Sequence, residues 1–357
     1  MNLKKLVVVV PSMQPSAPIK GAVALCNGLV EHLPVILVPL KPFPTCDLLI
    51  NPMVQVISLA DYSWRGKYLR FKRLLCTSGT RDSVLSFSLC FSADVFNSLM
   101  KPWAMIFSSV RGDLIGAHRF DYQLPGLALA FLHYRILRHF DQVIAMSHIM
   151  KTQLEYHGIK TPIIVGNFID EPNLMRYKIK RVDSDGPINF LFLARMAKGK
   201  CPDRLIDAMF QLKLAGLQCH LDMVGDGPMR RSLESAVKRM GLESSVTFHG
   251  YIEEPYKILQ QADYLVLPSE SEGIPRSILE ALFFGVPCIA RNIGANREII
   301  KSGWNGELFN QDDELVELMM RLAKTRTRYQ SAKHQNLLPV SFRQKENIQK
   351  LIQVLGL

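Results

Sequence analysis

Short apolar runs alternate with helical patterns along this chain, and that alternation restricts the fold more than any other feature. The first run is Leu6–Val10. A loop with Pro11, Pro15, Pro18 and Gly21 follows, then a helical stretch near Ala22–His32. Further strands are predicted at Val35–Val38, Val84–Phe87, Met105–Ser108, Val143–Ala145 and Ile163–Val165. Apolar runs of this kind need cover on both faces, and the intervening helices supply it. The pattern predicts a doubly wound α/β domain with a parallel sheet.

A break follows at Arg176–Pro187, a polar, charged stretch ending in Gly186-Pro187, where the domain linker is placed. The alternation then restarts. Strands are predicted at Asn189–Leu193, His220–Val224, Val246–Phe248, Tyr264–Leu267 and Cys288–Ala290. Helices fit at Asp203–Ala215, Met229–Met240, Tyr256–Gln261 and Arg276–Phe284. The expected domains are residues 1–175 and 186–340, with 341–357 a C-terminal helix for which a return to the first domain is one arrangement. A chain of 357 residues accommodates two domains at roughly 150 residues each. Ligands of such sheets bind outside the carboxyl ends of the strands, so the chemistry is expected in a cleft between two such domains.

Charge narrows the partners. Lys and Arg number 43 against 32 Asp and Glu, a formal +11. Residues 1–170 carry +7 of this. The excess favours an anionic partner: nucleic acid, a phosphorylated ligand or an acidic membrane face. The seven cysteines form no CxxC pair and their number is odd, which fits a reducing compartment better than a disulfide framework or a zinc site. The start MNLKKLVVVVPS has too short an apolar run for a secretory signal and reads as a first buried strand. The longest stretch free of Lys, Arg, Asp and Glu is Leu6–Ile19, broken by prolines, whereas a spanning helix needs about 20 apolar residues.

The most informative segment is Ser269–Ala290, SESEGIPRSILEALFFGVPCIA. A strand ends, the chain turns on Gly273, and Pro275 stands where a helix would start. Free amides at a helix start favour an anion, which places Gly273, Ile274 and the first helical amides to hold a phosphate. Glu272 and Glu280 flank that cradle and suit hydroxyl groups as acceptors. The plainer alternative is a capping loop with two solvated acids. The second segment, Leu193–Lys200 (LARMAKGK), also follows a strand. Arg195 and Lys200 together suit a diphosphate, and the plainer alternative is an exposed basic turn.

With these residues in view, the C-terminal half resembles family 4 of the retaining glycosyltransferases, whose fold is GT-B. Glu272 and Glu280 have that family's spacing of seven intervening residues. EGIP, LEA, GVP, GANREII, SGWNGELF, the MVGDGP of Met223–Pro228 and the VTFHG of Val246–Gly250 are also similar. The likeness is strong over about residues 186–310, moderate over Phe140–Asp170, where FDQVIAMSHIMKTQL and NFID stand, and weak over 1–139. It implies that Arg195 and Lys200 bind a donor diphosphate and that Glu280 accepts from the nucleotide ribose. Glu272 with the amides of Gly273 and Ile274, next to Pro275, would hold the transferred sugar and its phosphate. The loop at Gly250, Tyr251 and Ile252 would meet the base. Two departures stand out: Ile274 occupies a place where the family often has Phe, and Gly21 stands alone where a double glycine is usual.

Other candidates are weighed beside these. Asp183-Ser184-Asp185 is a DxD triplet of the kind that binds a metal in GT-A transferases, but it falls in the linker and reads as a solvated turn. Gly225-Asp226-Gly227 lacks the third glycine of a dinucleotide fingerprint and reads as a wall of the donor site. Arg111 and Gly21 are assigned to the acceptor side. Asp113 and His118 are each candidates to position an acceptor hydroxyl, against a loop salt bridge and a surface histidine. His133 and His139 read as packing or surface groups. In Trp64–Leu75, the stripe Trp64, Tyr68, Phe71, Leu75 follows one helix face and is expected to pack on the sheet. Lys67, Arg70, Lys72 and Arg73 are expected to turn toward lipid phosphates.

The resulting expectation is a metal-independent retaining hexosyltransferase without a cofactor. It would use a UDP or GDP sugar and a lipid-linked or surface polysaccharide acceptor, of the lipopolysaccharide or capsule kind. It would work as a peripheral protein on the cytosolic face of an anionic membrane, with no nucleic-acid partner. The alternatives are a GT-B nucleotide-sugar epimerase and a non-catalytic or nucleic-acid-binding relative.

Overall fold

The computed structural model describes residues 4–43, 48–116, 118, 124–179, 186–325 and 336–357. They form two compact units, 1–173 with 340–357, and 174–339. Cys46, Asp183 and Asp185 lie outside the described residues.

Unit 1 holds seven strands in the order β3-β2-β1-β4-β5-β6-β7. They are β1 (Lys5–Val10), β2 (Val35–Pro39), β3 (Gln55–Val56), β4 (Val84–Leu89), β5 (Met105–Val110), β6 (Gln142–Ala145) and β7 (Ile163–Ile164). Every pairing is parallel. Leu6 through Val10 have no exposed surface, as a run without polar alternation requires. The first helix spans Ala17–Leu29 and so starts five residues before the expected Ala22. Pro18 falls within its first turn, where the missing amide has no intrahelical partner to lose, so a residue read as a loop marker is a helix start.

Helix Trp64–Ser78 buries Phe71 and Leu75 completely. Phe71 and Trp64 both pack on the Phe96 ring, and Tyr68 meets Trp103 edge-on. The aromatic stripe therefore rests largely on the helix Phe91–Ser98 and on Trp103, with Trp64 still half exposed. The C-terminal helix Gln344–Leu355 belongs to unit 1. Ile348 packs on Gly28, where a Cβ would come within 2.6 Å of its Cδ1. Gln344 donates to the Ala24 carbonyl at 3.0 Å, and the Glu171 carboxylate accepts from its backbone amide at 2.7 Å. Lys4 donates to the carbonyls of Leu355 and Gly356, capping the last turn.

Unit 2 holds six strands in the order β10-β9-β8-β11-β12-β13. They are β8 (Ile188–Leu193), β9 (Cys219–Val224), β10 (Val246–Gly250), β11 (Tyr264–Leu267), β12 (Cys288–Arg291) and β13 (Gly306–Phe309). Again every pairing is parallel. The order reverses between β8 and β11, which sets the loops after those two strands side by side. β13 was not expected: Gly-Glu-Leu-Phe has no apolar run, and it lies at the sheet edge beside β12. Before β8, the Tyr177 ring packs at a tilt of 42° against Tyr256 with centroids 4.7 Å apart, and Gln260 bonds to the backbone of Tyr177 and Ile179.

A polar cluster bridges β8, β9 and β10. The Asp222 carboxylate accepts from His249 Nε2 at 2.6 Å and from Asn189 Nδ2 at 2.9 Å, with His220 Nε2 at 3.5 Å. Burial alone would raise the Asp222 pKa, but the hydrogen bonds from His220, His249 and Asn189 outweigh it and hold it at about 2. A carboxylate held below its unfolded value adds stability above that value and loses it as pH falls through the folded one. Asp222→Asn should therefore lower the unfolding free energy read from chemical denaturation at neutral pH by about 1–2 kcal/mol. The gap should close as pH falls from the ordinary 3.8 toward 2. A gap that stays constant across that window would show that Asp222 acts through shape alone.

Candidate active site

The carboxyl ends of β8, β9, β10 and β11 carry the predicted donor residues of unit 2. After β8 the chain runs through Ala194–Ala197 into a tight turn at Lys198–Lys200. Gly225 and Gly227, after β9, hold that loop in place. A Cβ at Gly225 would overlap the Ala194 carbonyl oxygen, and one at Gly227 the Met196 carbonyl. Both glycines have positive φ, 131° and 157°. Backbone bonds from Met196 N to the Asp226 carbonyl at 2.9 Å and from Met229 N to the Met196 carbonyl at 3.0 Å complete the contact. Gly225 N also donates to the Gly250 carbonyl at 2.8 Å, which ties the loop of Tyr251 and Ile252 to the same edge. Tyr251 is exposed there.

The loop after β11 meets the loop after β8 directly. Glu270 N donates to the Gly199 carbonyl at 3.1 Å, and Lys200 Nζ reaches Glu272 Oε1 at 2.6 Å. The Glu272 side chain is only 8% exposed. Arg195 is exposed on the same loop as Lys200. Gly273, the buried Ile274 and Pro275 lead into the helix Arg276–Phe283. Pro275 lies one residue before that helix rather than at its first position, with its carbonyl accepting from Ile278 and Leu279. The amides of Arg276 and Ser277 follow at once, and a helix supplies no intrahelical acceptors for its first amides. Glu280, just over one turn in, is buried and accepts from Arg276 Nε at 2.8 Å. Both glutamates, expected as open acceptors, are therefore also counter-ions to a cation of the protein itself.

Sequence reading missed the groups that brace these loops. Arg204 bonds Glu270 at 2.7 Å and pairs with Asp312. Arg291 pairs with Asp312 and donates to the Pro268 carbonyl at 3.2 Å. Arg204 and Asp312 are 108 positions apart, so no local pattern reveals them. Arg276 was legible, since it stands four residues before Glu280 at the spacing of a helical ion pair. Tyr256 is buried close to the Arg276–Glu280 pair, and burial first, then the Glu280 charge, pushes its hydroxyl pKa up.

In unit 1 the acceptor-side candidates Gly21 and Arg111 do meet. The Arg111 guanidinium occupies the space a side chain at Gly21 would need, and its Nη1 donates to Asn167 Oδ1 at 3.0 Å. Among the described residues the Asp113 carboxylate has no salt bridge: it accepts from the amides of Ile115 and Gly116 and caps the following turn. His118 is not a surface histidine but buried, with Nε2 3.1 Å from His133 Nδ1. His133 Nε2 lies 2.9 Å from Asp94 Oδ2, and Asp94 Oδ1 accepts from Ser88 Oγ at 2.6 Å. His133 is thus the middle of a buried polar chain, while His139 stays exposed. The Cys90 thiol beside this chain is pushed up to about 12, by burial first and then by the charge of Asp94, with Arg111 opposing.

Of the four basic residues assigned to a membrane face, two contact aromatic rings. Arg70 lies 3.9 Å over the Tyr62 ring, and Lys72 lies 4.5 Å from the Trp103 ring centroid. Arg70 and Arg73 are exposed, and Leu69 on the same helix is 62% exposed. Among the described residues no helix is long and apolar enough to cross a membrane. Among them, too, no group of three or more His, Cys, Asp or Glu is placed to hold a metal ion.

Residues 176–336 match the family described as Glycosyl transferases group 1. The lipopolysaccharide 1,6-galactosyltransferase of Salmonella typhimurium is 27% identical over 206 residues, 56% of this chain and 56% of that one. The UDP-Gal:alpha-D-GlcNAc-diphosphoundecaprenol alpha-1,3-galactosyltransferase of Escherichia coli is 32% identical over 138 residues, 38% of this chain and 33% of that one. The chain thus spans between about a third and little more than half the length of the curated relatives it matches. Among solved structures, Anabaena Alr3699/HepE in complex with UDP superposes with a TM-score of 0.78 at 18% identity, over 99% of each chain. The fold is GT-B.

The close approach of Gly225 to the 194–197 loop gives a direct test. Gly225→Ala introduces both a strained φ and a clash with backbone, and should cost roughly 2–4 kcal/mol. Hydrogen exchange should quicken across residues 194–200 while β1 and β4 keep their protection. An unchanged unfolding midpoint with unchanged exchange would mean that the two loops are not braced by this contact.

Proposed function

From the match of residues 176–336 to the group 1 glycosyl transferases, we propose that the protein is a retaining hexosyltransferase. Its donor would be a UDP sugar, and its acceptor a lipid-linked or surface polysaccharide of the lipopolysaccharide kind. The observation that carries this reading is the contact of Lys200 with Glu272, which joins the two loops at the strand-order reversal. Two relatives support its particulars: one is named for lipopolysaccharide, the other for a UDP-galactose donor and a diphosphoundecaprenol acceptor.

Negative charge develops on the departing diphosphate as the glycosidic bond breaks. Arg195, Lys200 and the amides that open the helix Arg276–Phe283 stabilise it there. Arg195 offers a planar fork and Lys200 a compact charge. These fixed cations take the place a divalent metal fills elsewhere, so neither metal nor cofactor is required. Glu272 holds Lys200 until the donor arrives and accepts from hydroxyls of the transferred sugar. Glu280 accepts from the ribose, and Tyr251 and Ile252 meet the base. The acceptor attacks from the side of the leaving group, whose phosphate oxygen takes the proton, and the anomeric configuration is retained. Gly21, Arg111 and His118 belong to the acceptor side, with Asp113 shaping the loop between Arg111 and His118.

Transfer from UDP sugars tests the donor half. Arg195→Ala should lower kcat by roughly 10²–10³. Arg195→Lys should recover little, because a point charge does not replace a fork. Activity should survive excess chelator. Full activity in both variants would refute the placement of the diphosphate, and loss with EDTA restored by manganese would refute metal independence.

The same reading places the protein on an anionic membrane face, where a lipid-linked acceptor resides. Arg65, Arg70 and Arg73 are exposed on the helix Trp64–Ser78 with Trp64 and Leu69. Each basic residue near such a surface contributes about 1 kcal/mol. Co-sedimentation should need anionic vesicles and fall away at high salt. Changing Lys67, Arg70, Lys72 and Arg73 to glutamine should weaken it and leave donor affinity intact. Equal binding to neutral vesicles would refute the electrostatic docking.

A further inference from the structure

Arg276 opens the helix Arg276–Phe283, and the donor reading assigns its side chain no task. Its position is electrostatically adverse, since a cation at a helix N-terminus opposes the helix dipole. Its Nε donates to Glu280 Oε1 at 2.8 Å, and the two side chains are only 9% and 8% exposed. Its Nη1 is buried and has no hydrogen-bond partner among the described residues. Buried donors are almost always satisfied, and an unsatisfied one on a charged group is costly. A guanidinium held at one nitrogen and unsatisfied at another, within nine-tenths buried surroundings, is a binding group whose ligand comes from outside.

The chemistry of that ligand follows from the pair. Arg276 takes one oxygen of the Glu280 carboxylate, and the other remains an acceptor. Together they present a buried donor and an acceptor on a buried residue, within the first turn or so of the helix whose opening amides are assigned to the diphosphate. A hydroxyl both donates and accepts, and two neighbouring hydroxyls satisfy the pair fully, whereas a phosphate has no proton to give the carboxylate. Tyr256, buried close by, adds a wall of aromatic surface continued by Phe284, its ring centroid 5.7 Å away.

We propose that Arg276 is a specificity-determining residue of the donor site. It fixes the Glu280 carboxylate through Nε and donates from Nη1 to a ribose hydroxyl oxygen, so that the Arg276–Glu280 pair reads the ribose diol as a unit. This rests on the assignment of Glu280 to the ribose. Lysine at 276 would keep the charge but could not hold the carboxylate and the ribose at once, because it lacks the planar fork.

The test is calorimetric titration of UDP, 2′-deoxy-UDP, 3′-deoxy-UDP and uridine into the full chain, wild type, Arg276→Gln and Arg276→Lys, with unfolding temperatures measured beforehand. Wild type should lose roughly tenfold or more in affinity when one of the two hydroxyls is removed. Arg276→Gln should bind UDP about as weakly as wild type binds that deoxy analogue, so the preference for ribose collapses toward one. Arg276→Lys should lose the preference too, and it carries the test if the glutamine variant does not fold. A ribose preference that survives in both variants overturns the proposal. So does an equal loss for UDP and its deoxy forms with uridine unchanged, which would move Arg276 to the diphosphate. If wild type binds no UDP at all, the donor reading itself fails, and that result is distinct from the other two.

Discussion

The candidate site depends on the reversal of strand order between β8 and β11. In a doubly wound sheet, the chain leaves neighbouring strands toward opposite faces at that point, and their two loops are left side by side. Here this happens with little slack. Gly225 and Gly227 have no side chain because the carbonyls of Ala194 and Met196 occupy that space. The loop bearing Arg195 and Lys200 is thereby fixed from below by backbone. From the side, it is fixed by the Glu270–Gly199 bond and the Lys200–Glu272 pair. Rigid placement matters because a cation stabilises a developing charge best when nothing must reorganise at the moment of reaction.

Four cations of this edge are provided with anions of their own. Lys200 has Glu272, Arg276 has Glu280, Arg204 has Glu270 and Asp312, and Arg291 has Asp312. A cluster of like charges so close together would repel itself in the empty protein, and buried members would be unstable without partners. The arrangement also separates roles. Arg204, Arg291 and Asp312 only link protein to protein, and they brace the 268–270 loop. Lys200 and Arg276 lie beside residues assigned to the donor, and each pairs with a glutamate to which the proposed function assigns a hydroxyl of the donor. An arriving nucleotide sugar would exchange intramolecular pairing for pairing with the ligand, which keeps the net cost of occupying the site small.

Much of this was legible in the sequence because the features were local. Runs such as Leu6–Val10 and Tyr264–Leu267 are buried strands for a reason that five residues suffice to state. The order of loops around Arg195, Lys200, Glu272 and Glu280 followed from which strand each came after. What was lost depended on distant partners or on special positions. Pro18 reads as a breaker and is part of a helix start. β13 has no apolar run, since it borrows its stability from β12. Arg204 and Asp312 are linked only through the fold. His118 and His133, polar and 15 positions apart, gave no sign of burial.

Those two histidines show why burial changes what a residue can do. Ser88, Asp94, His133 and His118 are joined in series, so the donor and acceptor roles of the two rings are linked. Asp94 accepts from Ser88 Oγ and His133 Nε2, which leaves His133 Nδ1 as an acceptor for the Nε2 proton of His118. Such a chain orients a ring more firmly than packing does, because a flipped imidazole would set two donors or two acceptors face to face inside the protein. Ser88 lies in β4, and the chain lies close to Arg111 at the carboxyl end of β5, the edge where ligands of such sheets bind. The surface histidine expected from the sequence had no reason to prefer one tautomer. The buried one is linked through His133 to Asp94, a residue 24 positions upstream that the sequence gave no cause to single out.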